Sequence, residues 1–138
     1  MKTASFHLSL PCLSIGRTKE FYTGVVGADL GRNTSQWLDI DLFGNQITFT
    51  KSGGFNFSYQ TYKFEDSVLP SFHFGVIVDQ DTWQRLHDRL QSFEYEVTTQ
   101  ATFLRGQSGE HISFFVKDPN GYMVEFKHFR DQNEMFSQ

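Results

Sequence analysis

The chain has 138 residues, the size of one ordinary domain, with 38% hydrophobic and 20% charged residues. Its formal net charge of −4 argues against nucleic acid or an anionic membrane surface as a partner. No apolar run approaches the ~20 residues of a membrane helix, and Cys12, the only cysteine, has no partner within the chain for a disulfide. We therefore expect a globular protein of a reducing compartment, the cytoplasm.

The first predicted elements are a strand and a helix. Residues 5–13, SFHLSLPCL, have strand character and carry His7 near their start. Residues 15–26 are predicted to be helical and to end at Gly27.

Two further strands follow, joined by a turn at Gly44 and Asn45. Residues 35–43 alternate strictly, which is typical of a half-buried strand, and residues 46–51 form the returning strand. The alternation puts Trp37, Asp39 and Asp41 on one face and Leu38, Ile40 and Leu42 on the other.

The second half repeats this order. Residues 71–78 are a predicted strand with His73 third, as His7 is third in residues 5–13. Residues 80–93 have apolar positions three to four apart, which predicts a helix, with Asp81 as its N-cap. Strands are then predicted at residues 95–103, 110–118 and 122–129, with a turn, DPNG, before the last of them.

We thus predict a single α+β domain over residues 1–138. Its parts are module one at 5–51, an aromatic linker at 52–70, module two at 71–129 and a polar tail at 130–138. A module this small leaves one face of its sheet exposed to solvent, so the two modules are expected to pair in one curved mixed sheet. Helices would cover the outer face, and the concave inner face would be a ligand groove.

Three residues stand out by their position in this repeat: His7, His73 and Glu125. Glu125 lies within an apolar strand, where an ionised group needs a partner or a metal. Two histidines and a carboxylate on rigid strands suit Fe(II), Mn(II) or Zn(II) and leave coordination positions open. The alternatives are half-buried histidines without ligand roles, and a Glu125 that pairs with Lys127 or Arg105.

The chain resembles the vicinal oxygen chelate superfamily, which includes glyoxalase I, fosfomycin- and bleomycin-resistance proteins and extradiol dioxygenases. The resemblance lies in residues 7–31, in HFGVIV at 73–78 and in DPNGYMVEFKHF at 118–129. It implies paired βαβββ modules, often in a homodimer. It also implies that His7, His73 and Glu125 hold one divalent metal (Fe, Mn, Zn, Ni or Co).

The chain also departs from these relatives. Thr48 stands where glyoxalase I has a further carboxylate, and Phe115 stands where extradiol dioxygenases have a tyrosine. No basic phosphonate-binding loop like that of the fosfomycin-resistance enzymes is clear in the sequence. Because Phe115 lacks the hydroxyl of that tyrosine, efficient extradiol ring cleavage is disfavoured.

Other residues are predicted to face the groove. Strand alternation places His111 on the face of Phe115, where it could act as general acid or base beside Glu125, or simply lie at a wet strand edge. The predicted substrate-binding residues are Trp37, Gln46, Arg105 and Phe115, although Arg105 could equally be a solvated loop residue. The linker aromatics could form a lid over the substrate or a dimer contact; they are Phe55, Phe57, Tyr59, Tyr62 and Phe64.

These predictions favour a metal-dependent lyase, isomerase or transferase that acts on a small molecule with two adjacent oxygens. The alternative is a small-molecule-binding protein of the bleomycin- or fosfomycin-resistance type, whose aromatic groove performs no chemistry.

Overall fold

The computed structural model describes residues 3–93 and 95–137, with only the backbone of Thr99 described. The chain forms two compact units. The first unit takes the chain up to Phe57 together with Asp118–Gly121, and the second takes Ser58–Lys117 and the chain from Tyr122 onward. Each unit contains a four-stranded mixed sheet.

The first unit has its strands in the order β1-β4-β3-β2, with β1 parallel to β4 and the other pairs antiparallel. Its helix begins after Ser14, whose hydroxyl accepts the N–H of Arg17, and ends at Gly27 with a left-handed φ of 88°. The elements are β1 (His7–Cys12), α1 (Ile15–Lys19) continued by a π-helix (Glu20–Val26), β2 (Asp29–Asn33), β3 (Trp37–Leu42) and β4 (Asn45–Lys51).

One face of this sheet is apolar and the other is polar. Leu38, Ile40 and Leu42 of β3 are buried, and α1 packs on β3 and β4. The strand β2 was not predicted, because all five of its residues are exposed and show no apolar alternation.

The second unit repeats the arrangement, with strand order β7-β10-β9-β8 and β7 parallel to β10. A separate hairpin, β5–β6, occupies part of the predicted linker. The elements are β5 (Thr61–Phe64), β6 (Ser67–Pro70), β7 (Phe74–Ile77), α2 (Gln80–Ser92), β8 (Thr98–Phe103), β9 (His111–Lys117), β10 (Met123–Phe129) and a 3₁₀ turn (Gln132–Glu134).

The N-cap of α2 is Asp79, so the prediction of Asp81 was wrong. The Asp79 carboxylate accepts the Thr82 N–H at 2.8 Å, and Asp81 lies inside the first turn. The apolar face of α2 packs on β10, where the Trp83 indole donates to the carbonyl of Phe126 at 2.9 Å.

The α+β class is confirmed, with mixed sheets and flanking helices. None of the helices described at 3–93 and 95–137 is long and apolar enough to cross a bilayer.

Candidate metal and substrate site

Glu125 lies in the middle of the second sheet. Its strand, β10, runs between β7 and β9, and Glu125 is in register with Gly75 on one side and Phe115 on the other. The residue is 9% exposed. A carboxylate this buried needs compensating charge or hydrogen bonds.

His73 is the first partner of Glu125. Its Nε2 lies 3.4 Å from Glu125 Oε1, and its Nδ1 lies 2.8 Å from the carbonyl oxygen of Pro70. Because a carbonyl only accepts, Nδ1 carries the proton and Nε2 is the nitrogen that faces Glu125. A backbone contact just before β7 therefore orients this ring.

The two groups shift each other's protonation. The hydrogen bond to Glu125 raises the pKa of His73, although burial acts in the opposite direction. Burial opposes ionisation of Glu125, but His73, the Lys127 charge and the Ser113 hydroxyl together outweigh it and lower the pKa of Glu125.

Lys127 is the second partner. Its Nζ lies 3.8 Å from Glu125 Oε1 and 5.8 Å from the centre of the Phe129 ring. Ser113 is in register with Lys127 on β9. The Ser113 hydroxyl is fully buried and makes no hydrogen bond of normal geometry to any residue within 3–93 and 95–137.

These groups border a cavity of about 200 Å³ with aromatic walls. Its lining residues are Tyr62, Phe64, Leu69, His73, Phe103, His111, Phe115, Glu125 and Lys127. The edge of His73 meets the Phe115 ring at a centroid distance of 5.1 Å. We call this space the second-unit cavity.

His111 lines the second-unit cavity together with the His73–Glu125 pair. Its Nδ1 lies 2.9 Å from the carbonyl of Gly109, so Nδ1 carries the proton and Nε2 is left as an acceptor. The ring packs between Phe103 and Phe129, at centroid distances of 5.4 and 4.9 Å. These contacts give His111 a defined position in the wall.

His7 lies in the first unit. Its side chain is exposed, and its Nδ1 lies 3.2 Å from the carbonyl of Gln46, its register partner on β4. No three His, Cys, Asp or Glu side chains within 3–93 and 95–137 form a group that could hold a metal. The structure therefore brings together two of the three predicted ligands, and the role of His7 stays a prediction.

Thr48 occupies the place in the first unit that Glu125 has in the second. Ser9, two residues after His7, is in register with Thr48, just as Gly75, two residues after His73, is in register with Glu125. Thr48 donates its hydroxyl to Asp39 at 2.7 Å.

The remaining predicted substrate-binding residues are divided between the two units: Trp37 and Gln46 belong to the first, and Arg105 and Phe115 belong to the second. The Gln46 amide donates to Asp39 at 3.2 Å, Trp37 is half-buried with the Arg32 guanidinium 6.0 Å from its ring, and Arg105 is exposed in a loop. Phe115 is 1% exposed and belongs to the cavity wall.

Several cavity residues were not predicted as site residues. Lys127 was considered only as an alternative partner of Glu125, yet its position two residues further along the strand was a signal that it shares the same face. Phe103 and Leu69 had no such signal, because β6 and β8 reach the cavity through long-range packing. Tyr62 and Phe64, two of the proposed lid aromatics, do line it.

The comparisons with known proteins agree with this architecture. Among solved structures, a glyoxalase/bleomycin resistance protein/dioxygenase from Alicyclobacillus acidocaldarius is 23% identical with a TM-score of 0.80, over 97% of each chain. The fosfomycin resistance protein FosX from Listeria monocytogenes is 15% identical with a TM-score of 0.69, over 99% of this chain and 100% of its own.

A lactoylglutathione lyase from Agrobacterium tumefaciens is 14% identical with a TM-score of 0.69, over 99% of this chain and 98% of its own. Identities this low show the fold alone. No curated protein matches the chain significantly. The family Glyoxalase/Bleomycin resistance protein/Dioxygenase superfamily matches residues 5–126, most of the sequence, and the chain therefore belongs to that superfamily.

Proposed function

We propose that this protein is a metal-dependent enzyme acting on a small molecule whose two adjacent oxygens chelate one divalent ion. The observation that supports the proposal most is the His73–Glu125 pair at a cavity with aromatic walls. Superfamily membership supports the same class of site.

The donor chemistry of His73 and Glu125 suits a divalent metal. His73 offers Nε2, because Pro70 accepts the proton on the other nitrogen, and Glu125 offers a carboxylate held in the ionised form. One imidazole and one carboxylate, joined by His7 as the third proposed ligand, suit Fe, Mn, Zn, Ni or Co. Such a set leaves coordination positions open for substrate oxygens.

The proposed chemistry divides between the metal and the chain. A bound metal supplies Lewis acidity that stabilises negative charge on a substrate oxygen. The aromatic walls bind the apolar part of the substrate and exclude water, while His111 Nε2 accepts a substrate proton and later returns it. A lyase, isomerase or transferase reaction fits these roles.

The second candidate is a small-molecule-binding protein without chemistry. The aromatic walls favour it, since they would hold a flat apolar ligand without help from a metal. Such a protein has no use for ligand groups that converge, so metal affinity separates the two candidates.

The test is calorimetric titration of metal-free protein with Zn²⁺. We expect one ion per chain and a loss of affinity of more than about tenfold in each of His7→Ala, His73→Ala and Glu125→Gln, since even outer-shell partners of a metal are worth about 10–100-fold. His128→Gln is the matched control, because His128 lies on the opposite face of β10 and packs against Trp83.

Weak binding by the wild type, or unchanged affinity in Glu125→Gln, would contradict the metal-dependent reading and leave the binding protein in its place. Loss of affinity in His73→Ala and Glu125→Gln but not in His7→Ala would remove His7 from the ligand set.

A further inference from the structure

The second-unit cavity contains a positive charge that the proposed chemistry does not use. Lys127 lines the cavity with its ammonium 3.8 Å from Glu125 Oε1, and its side chain is only 28% exposed. In the protein without metal, Glu125 offsets this charge, and among the residues of 3–93 and 95–137 that line the cavity Glu125 is the only acidic one.

A divalent ion on Glu125 would change this balance. The carboxylate would then face the metal, and Lys127 would lose its partner while a second cation arrived next to it. The cavity would then hold a surplus of positive charge, which favours an anion.

We propose that Lys127 is a specificity-determining residue that binds an anionic group of the substrate. The substrate class is then a flat, apolar molecule that carries vicinal oxygens and, separately, a carboxylate. In this proposal the vicinal oxygens would bind the metal. The ring would pack against the walls formed by Phe64, Phe103 and Phe115, and the carboxylate would bind Lys127. This inference rests on the proposed metal site.

Two chelating probes that differ only in charge test the proposal. 3,4-Dihydroxybenzoate and 3,4-dihydroxybenzamide share a ring and an oxygen pair, but only the acid carries a carboxylate. Their dissociation constants are measured by calorimetry on Zn²⁺-loaded protein without oxygen. The readout is the preference for the acid, which is the amide constant divided by the acid constant.

We expect the preference in the wild type to exceed that in Lys127→Met by about tenfold, the value of a charge-assisted hydrogen bond in a partly exposed site. Lys127→Arg keeps the charge and should retain the preference. Lys63→Met is the control, since Lys63 is an exposed lysine of the same unit on β5. Lys63 lies between Phe64 and Tyr62, which line the cavity, so strand alternation places it on the opposite face of β5 from them. The Lys63→Met variant should therefore leave the preference for the acid unchanged.

The outcomes separate this inference from the metal site. Failure of the wild type to bind Zn²⁺ would overturn both. Normal Zn²⁺ binding with an equal preference in wild type and Lys127→Met would overturn the role of Lys127 alone. That result would make Lys127 a simple ion-pair partner of Glu125, and its removal would then change only the affinity for Zn²⁺.

Discussion

Gly75 allows β7 to lie directly against the residue that carries the buried carboxylate. A Cβ at this position would fall 1.7 Å from the carbonyl oxygen of Glu125 and 2.6 Å from its carbonyl carbon. Both are backbone atoms, so neither can rotate away as a side chain would.

Gly75→Ala should therefore lower the free energy of unfolding by about 1–3 kcal/mol and weaken Zn²⁺ binding, because the backbone of Glu125 must move. Urea unfolding and calorimetry measure the two effects. Gly54→Ala is the control, since nothing lies within 4 Å of its added Cβ. Equal stability of the two variants would show that β7 and β10 are not paired as described.

The His73–Glu125 pair makes the stability of the metal-free protein depend on pH. The pKa of His73 is raised above 6.5, so its stabilisation is full below 6.5 and is lost as pH rises through the folded value. The pKa of Glu125 is lowered from 4.5, so its stabilisation is present above 4.5 and is lost as pH falls through the folded value. The pair should stabilise the fold most in the window between those two ordinary values.

We expect His73→Gln to destabilise the metal-free protein more at about pH 5.5 than at about pH 8.5. Urea unfolding at both pH values in the presence of a chelator measures the difference. In a Glu125→Gln background the pH dependence of the His73 effect should disappear. Its persistence there would assign the effect to another group.

At the scale of elements, the Asp118–Gly121 turn is held within the first unit by buried hydrogen bonds. The Tyr22 hydroxyl of the π-helix donates to Asp118 at 2.7 Å, and the Asn120 side chain accepts the N–H of Leu13 at 2.8 Å. Asp118 is 4% exposed. Removing a hydrogen-bond donor from a buried carboxylate lowers the free energy of unfolding more than removing one from an exposed carboxylate.

Tyr22→Phe removes one donor from Asp118 and leaves the ring in place. We expect a loss of about 1–3 kcal/mol in the free energy of unfolding, measured with urea. Tyr59→Phe is the matched control, because Tyr59 is 68% exposed and should tolerate the loss of its hydroxyl. A neutral Tyr22→Phe would mean that this hydrogen bond contributes nothing to the turn.

Elements also mark the limits of sequence-based prediction. The alternation in β3 and the apolar spacing of α2 were sufficient to predict both elements, because each period directly reflects one buried face. The start of α2 was misplaced by choosing Asp81 over Asp79, since both are acidic residues before an apolar stripe. Only the backbone angle, extended at Asp79, distinguishes them.

At the scale of the whole molecule, the fold alone does not identify the reaction. Proteins whose names describe fosfomycin resistance and lactoylglutathione lysis share this architecture at 15% and 14% identity. Function in such a family depends on the side chains of the site. The site residues of this chain argue against one of the reactions found in the superfamily.

Extradiol ring cleavage is that reaction. Phe115 is in register with Glu125, and its phenyl ring can neither donate nor accept a proton. His111 lies four residues earlier on the same strand, ~13 Å along it at ~3.3 Å per residue. A positioned acid–base group is worth about 10²–10⁴ in rate.

Protein loaded with Fe(II) under anaerobic conditions and then given catechol and oxygen should therefore form yellow ring-opened product far more slowly than about one turnover per second. Absorbance of the product measures the rate. The same calorimetric titration, made with Fe(II) instead of Zn²⁺ and without oxygen, is the control that iron occupies the site. Turnover near one per second would contradict the proton argument and restore the dioxygenase reading.

The sequence by itself determined the α+β class, the repeated order of strands and helix, and the faces on which the polar residues of β3 and β9 lie. These features follow from local periodicity, and a period of two or of about 3.6 residues is written directly in the chain. The position of Glu125 in an apolar strand was likewise visible, as was its repeat-related counterpart Thr48.

Only the tertiary structure decided which groups meet around Glu125. The Pro70 carbonyl that orients His73, the approach of Lys127 and the wall formed by Phe103 depend on packing and register between distant segments. The hairpin β5–β6 and the exposed strand β2 were missed for the same reason, since backbone pairing alone forms them. Local patterns specify which face a side chain occupies, whereas long-range register specifies its neighbours, and the chemistry of a site depends on the neighbours.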